Sequence, residues 1–399
     1  MSKVEIQRAH RMDGTGEYYF SRRLREIAEI EASTGRQIIK LAMGSPDLPP
    51  HPSVIERLHQ EALRPDVHKY MSFKGEPVLR KAFADWYAKW YGVELDFNSE
   101  VLPLIGSKEG IMHVAMTYLN EGDRVLVPNP GYPTYSSVSR LAQAEIFNYD
   151  LTEGNGWYPD FDALEKLPLE RIKLMWINYP HMPTGTPATL DLYQKIIDFG
   201  RRHNIVIVND NPYSFILNDN PISILAQPGA KECCLELNSL SKAHNMAGWR
   251  IGVVAADAEV ITEILKVKSQ MDSGMFKPLQ LAAVKALAQG PEWFEQLNAE
   301  YRRRRVLAGE IFDLIGAEYD HDSAGMFLWG RVGQAVAFIG PRLRCTQAPP
   351  TRGWENANSG HQPVRPSEQQ SSIGAQVSDK LLYEAGVFIT PGFIFGKNG

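Results

Sequence analysis

The sequence predicts an α/β fold: a three-layer αβα large domain around a mostly parallel seven-stranded sheet, with a smaller α+β domain beside it. Three observations lead there. Seven short apolar runs alternate with segments of helical periodicity, the pattern of a parallel sheet covered on both faces. With 399 residues, 44% of them hydrophobic, the chain can bury one large core and a lesser one. The residues with chemistry to offer stand just after the apolar runs, where open α/β sheets bind their ligands.

Taken in order, Tyr18–Ile30 reads as an amphipathic arm that packs on the small domain or on a partner. The segment before Leu41 is too short for a helix-turn-helix domain. Ser53–Leu63 and Val78–Tyr91 read as helices ahead of the sheet. The strands are expected at Val101–Ile105, Arg124–Pro128, Glu145–Tyr149, Ile172–Asn178, Ile205–Asp210, Cys233–Asn238 and Ile251–Ala255. Helices are expected at Lys108–Leu119, Pro133–Ala142, Leu190–His203 and Ala258–Met271, the last capped by Asp257. Pro291–Ile315 reads as one long helix leading into the smaller domain. Ala324–Val332 and Leu381–Ile389 read as strand and helix–strand material of that domain.

Composition excludes several classes. A net charge of −5 argues against nucleic acid as a partner, and the basic run Arg302–Arg305 reads as a solvated helix face beside Glu300 and Glu310. Three cysteines make neither a disulfide framework nor a four-cysteine metal site, and no histidine pair has metal-binding spacing, so no metal is expected. No run of about 18 apolar residues is present to cross a bilayer, and no early segment resembles a signal peptide. The expectation is a cytoplasmic protein with no membrane partner.

The chemistry centres on Lys242. It follows Ser239 and Ser241 after a strand, with Arg250 eight positions on. A lysine amine can form a Schiff base with an aldehyde cofactor, and the serine hydroxyls and guanidinium can hold that cofactor's phosphate. A surface lysine on a serine-rich turn is the plain alternative. Gly106, Ser107 and Lys108 form a small-residue turn opening a helix, suited to a phosphate or simply to a helix cap. Asp210 closes an apolar strand; it either caps or pairs structurally, or keeps a pyridine nitrogen protonated. Tyr213 is placed to reach a ring oxygen, and Tyr132 offers a flat face for stacking or for the core.

Together these residues resemble the class I/II aminotransferases, fold-type I pyridoxal-phosphate enzymes of the aspartate aminotransferase superfamily. The pattern S-x-S-K-x7-R at Ser239–Arg250 and D-x-x-Y at Asp210–Tyr213 carry the likeness. Leu41–Asp47, including Gly44, looks like the segment that crosses the active site and contacts substrate. Tyr70, in Tyr70-x4-Gly75-x3-Leu79-Arg80, matches the tyrosine that reaches the neighbouring subunit's cofactor phosphate. The resemblance implies pyridoxal 5'-phosphate as cofactor and ping-pong transamination between an L-amino acid and a 2-oxo acid, in a homodimer with shared sites. It implies Lys242, Asp210 and Tyr213 as catalytic residues. It also implies a cofactor-binding large domain at residues 46–290, with 1–45 and 291–399 contributing the arm and the small domain. A β-lyase or ACC-synthase-like reaction on the same scaffold, and a cofactor-binding protein without turnover, are the alternatives.

Two departures from the family pattern stand out. Met182 occupies the place of an asparagine that normally donates to the ring oxygen, and a thioether cannot donate; Asn178 or His181 is expected to compensate. Residues 340–378 carry five prolines and no periodicity, and read as a disordered insertion, an out-of-frame or mis-spliced stretch, or a lineage-specific loop, the abrupt change in composition favouring the second. The family's carboxylate-binding arginine follows a Pro-Gly-x-x-Phe-Gly segment, here Pro391–Gly396. The chain stops at Gly399 before reaching one, so a truncated C-terminus and impaired substrate grip are expected.

Overall fold

The computed structural model describes residues 6–13, 16–333 and 372–398. In chain order its helices are α1 (Tyr19–Thr34), α2 (Pro52–Ala62), α3 (Pro77–Tyr91), α4 (Ser107–Tyr118), α5 (Pro133–Leu141), α6 (Phe161–Leu164), α7 (Leu190–His203), α8 (Leu240–Ala243), α9 (Ala258–Met271), α10 (Lys277–Leu287), α11 (Pro291–Leu314) and α12 (Ile373–Lys380). The strands are β1 (Ile39–Lys40), β2 (Val101–Leu104), β3 (Arg124–Asn129), β4 (Glu145–Asp150), β5 (Ile172–Ile177), β6 (Val206–Asp210), β7 (Cys234–Ser239), β8 (Gly252–Ala255), β9 (Ala317–Tyr319), β10 (Gly330–Val332) and β11 (Val387–Phe388). Seven of them form one sheet in the order β2-β8-β7-β6-β5-β3-β4. From β7 to β4 all neighbours run parallel, and β8 is antiparallel to both β7 and β2. The mostly parallel seven-stranded sheet is therefore present.

Local chemistry explains where the elements begin and end. Proline stands in the first turn of α2, α3, α5, α10 and α11, where its missing N–H leaves nothing unpaired. Thr189 caps α7 through its hydroxyl, and Asp257 accepts from the Glu259 N–H at 2.8 Å to start α9. Strand β5 shows why the sheet is buried on both faces. Leu174 and Trp176 join the core on one side with Val208, Leu237 and Val254, while Met175 and Ile177 join the other with Ile207 and Val253. Each such fully buried aliphatic side chain is worth about 1.5–3 kcal/mol.

A smaller region lies at the chain ends. β1 pairs in parallel with β11, and α1 packs Ile27 against Ile38, Leu382 and Phe388, with Arg23 ion-paired to Asp379. β9 and β10 form an antiparallel pair. The sequence reading passed over α10, whose alanine- and leucine-rich turns lack an amphipathic stripe. It also placed Ile373–Ser378, the start of α12, inside the irregular stretch at 340–378; residues 340–371 lie outside the described residues.

Candidate active site

Strands β6 and β7 are sheet neighbours that end on Asp210 and Ser239. Beyond Ser239 the chain enters α8, which carries Ser241 and Lys242. Ser239 caps that turn: its hydroxyl accepts from the Ser241 N–H at 3.0 Å and donates to the Ser241 hydroxyl at 2.7 Å. The Lys242 Nζ donates to the Gly44 carbonyl at 2.5 Å and lies 5.9 Å from the Tyr213 ring centre. Burial, and then the charge of Arg250, lowers its pKa to about 8, against the pull of Asp210. Gly44 is tightly enclosed, since a Cβ there would stand 2.5 Å from Phe327.

Asp210 is 4% exposed. Its Oδ2 accepts from the Tyr135 hydroxyl at 2.9 Å, while its Oδ1 is buried with no hydrogen-bond partner. Burial raises its pKa to about 6, moderated by Tyr135 and by the charge of Lys242. The Tyr213 hydroxyl donates to the Met182 sulfur at 3.4 Å. Asn178 donates its amide to the Asp210 carbonyl and accepts from the Met182 N–H at 2.8 Å, so both ends of its side chain brace the main chain here. His181 bonds Thr184 at 2.8 Å, and burial pushes its pKa down to about 3, which keeps it neutral.

The Gly106–Lys108 turn sits close by. Gly106 has φ +81° and ψ 155°, a region reserved for glycine. A Cβ there would stand 2.0 Å from the Arg250 Nη2, so turn and guanidinium are in contact. Gly252 also packs closely on the Ser107 N–H, a Cβ there meeting the nitrogen at 2.6 Å. Lys108 extends over the Tyr18 ring with its Nζ 4.6 Å from the centre. Tyr132 meets Tyr135 edge-on with ring centres 5.5 Å apart.

Lys242, Asp210, Tyr213 and Gly44 are thus brought together, as are Gly106, Ser107, Arg250 and the Ser239–Ser241 pair. Tyr70 stands apart: it is 88% exposed and lines a separate surface cavity of about 560 Å³ with Met71, Gly274 and Phe276. Sequence reasoning missed Tyr135, Tyr18 and Phe327. Tyr135 was within reach, because three residues after Tyr132 on a helix is the same face. Tyr18 and Phe327 arrive from distant segments that no local pattern connects to the site.

These residues fit pyridoxal phosphate. The unpartnered Asp210 Oδ1 is a buried acceptor awaiting a donor, as a protonated ring nitrogen provides. The glycine turn, the α4 N-terminus and Arg250 form an anion cradle that any Cβ at 106 would fill.

The profile described as Aminotransferase class I and II matches residues 36–399. Among curated proteins, LL-diaminopimelate aminotransferase of Dehalococcoides mccartyi strain CBDB1 is 38% identical over 391 residues, 98% of this chain and 91% of its own. The protein of the same name from Moorella thermoacetica is 37% identical over 396 residues, 99% of this chain and 92% of its own. Among solved structures, apo-BacF from Bacillus subtilis superposes with a TM-score of 0.86 at 33% identity, covering 99% of this chain and 92% of that one.

Proposed function

The chain belongs to the class I and II aminotransferases, and from that premise we propose LL-diaminopimelate as its amino donor. The protein is a pyridoxal-phosphate-dependent aminotransferase, EC 2.6.1.-, that passes an amino group from an amino acid to a 2-oxo acid. Support for this donor comes from the two curated relatives of that name, similar over nearly their whole length.

The observation that carries the chemistry is the Lys242 amine, half-buried beside Asp210 and Tyr213 with its pKa lowered to about 8. Bound pyridoxal phosphate supplies the electron sink for the charge left when the substrate's α-carbon loses its proton. Lys242 would be the residue that holds the cofactor's aldehyde carbon, and its free amine would take the substrate's α-proton as general base; the Gly44 carbonyl positions that amine. Asp210, with its buried and unpartnered Oδ1, would hold a protonated ring nitrogen. Arg250, Gly106, Ser107, Lys108, Ser239 and Ser241 would hold the phosphate, with Asn178 bracing the loop that carries Met182. Tyr213, whose hydroxyl now donates to the Met182 sulfur, would hold the ring oxygen, and Tyr132 would supply a flat face for the ring.

The assembly is a homodimer in which Tyr70 of each chain reaches the other's phosphate site, in keeping with its exposure. Residues 46–290 form the cofactor-binding domain, and the enzyme works in the cytoplasm. No described helix is long and apolar enough to cross a membrane.

The donor is tested by mixing the cofactor-loaded enzyme with single amino acids and following conversion of the cofactor spectrum to its amine form. LL-diaminopimelate is expected to react at least tenfold more efficiently than aspartate, lysine or an aromatic amino acid. Faster reaction with any of those overturns the choice of donor.

A further inference from the structure

Cys233 and Cys234 stand where β7 begins, at the opposite end of that strand from Lys242. In a regular strand neighbouring side chains point to opposite faces, which holds adjacent sulfurs apart. Cys233 departs from that geometry with φ −144° and ψ −2°, and the two Sγ atoms lie 3.6 Å from each other. Access to them is unequal. Cys233 is half-buried and lines a surface cavity of about 690 Å³ shared with Arg201, Asn204 and Glu232, whereas Cys234 is 2% exposed.

Their acidities diverge in the same sense. A hydrogen bond from Cys234, followed by the charge of Arg201, holds the Cys233 thiol below its usual pKa against the effect of burial. That same bond, followed by burial, pushes the Cys234 thiol well above its usual value. The thiolate is the reactive form of cysteine, so the accessible sulfur reacts first and its buried neighbour follows.

We infer that Cys233 is a site of reversible oxidation by hydroperoxides, with Cys234 as its resolving thiol. The Cys233 thiolate attacks one peroxide oxygen and the O–O bond breaks. This leaves a sulfenic acid on Cys233 and a hydroxide or alkoxide that takes up a proton. The Cys234 thiol then loses its proton as its sulfur attacks the sulfenic sulfur. The S–O bond breaks, water departs and an S–S bond joins the two residues. Two electrons have passed from the thiol pair to the peroxide. Adjacent Cα atoms are about 3.8 Å apart across a trans peptide, closer than the roughly 4.4–6.8 Å usual for a disulfide, so dithiol reductants reopen the product readily.

The test uses the full-length holoenzyme carrying Cys345→Ser, exposed to limiting hydrogen peroxide and read by intact mass and by dimedone trapping. The expected result is a loss of two hydrogens that dithiothreitol reverses. With Cys234→Ala added, the expected result is a dimedone adduct on Cys233. With Cys233→Ser added instead, oxidation slows at least tenfold. Dimedone trapping on the enzyme with both cysteines, quenched early, reports the first sulfur to react without any substitution at either position. Trapping at Cys234 first, an unchanged rate in the Cys233→Ser protein, or oxygen addition without a disulfide overturns the inference.

Discussion

Burial pushes Asp210 toward its neutral form, while the Tyr135 hydroxyl and the charge of Lys242 pull its pKa back to about 6. In its proposed role as ring-nitrogen partner Asp210 must be ionised, so activity should fall as pH drops through that value. Tyr135→Phe removes a hydrogen bond to the charged form, worth about 1.5–3 kcal/mol, and should move the acid limb of kcat upward by about one pH unit or more. A pH–rate profile checks this; an unshifted limb means that Tyr135 does not tune Asp210. Met182 already accepts from Tyr213, so Met182→Asn should change kcat by less than about tenfold. A rise of orders of magnitude would show that the thioether leaves the ring oxygen under-served. These side chains were legible to different degrees. Lys242, Asp210 and Tyr213 declare themselves by spacing along single strand ends. Asn178 was expected from its place at a strand end to replace the missing donor to the ring oxygen, but its amide bonds to the main chain of Asp210 and Met182 instead, contacts that only the folded loop creates.

At the scale of elements, the strand-to-helix turn at Gly106 is the most demanding piece of backbone at the site. Gly106→Ala places a Cβ against Arg250 and forces a conformation costing about 1–3 kcal/mol for other residues. Affinity for pyridoxal phosphate should fall about tenfold or more, measured by titrating the apoenzyme and following cofactor absorbance; unchanged affinity would remove the turn from the phosphate site. The buried strands were read from the sequence nearly to their ends, because β5 from Leu174 to Ile177 and β6 from Val206 to Val208 are apolar runs that suit a doubly covered sheet. Helix α10 was not, since its buried face (Gln280, Ala282, Ala283, Ala286) combines small residues with a polar one and gives no clear stripe. β1 and β11, two residues each, pair across nearly the whole chain, a contact no local pattern announces.

Across the whole molecule, Glu236 joins elements that are distant in sequence. Its buried carboxylate accepts from Tyr87 on α3, Asn209 on β6, and Ser223 and the Ile224 N–H in the following loop, at 2.9 to 3.2 Å. Burial nonetheless raises its pKa from 4.5 to about 7. A raised pKa in the folded state means that this group's stability contribution is complete below about pH 4.5 and is lost as pH rises through about 7. The difference amounts to about 3 kcal/mol. Glu236→Gln lacks the titration, so the wild-type advantage over the variant in urea-denaturation free energy should shrink as pH rises from 4.5 to 7. Parallel curves for the two proteins would assign the carboxylate no such part. The exposed Tyr70 is also a whole-molecule feature, since its proposed partner lies on a second copy. Inactive Lys242→Ala and impaired Tyr70→Ala chains, mixed and reassembled, should regain activity above either alone, because one site in the mixed dimer is intact; no recovery argues against sharing.

Central to all of this is the proposed role of Lys242 as the residue that bonds the cofactor. Borohydride reduction of the loaded enzyme fixes that bond, and peptide mapping locates it. The label is expected on Lys242 alone, with none incorporated into Lys242→Ala. A label on Lys108 or any other lysine in the native enzyme would contradict the assignment.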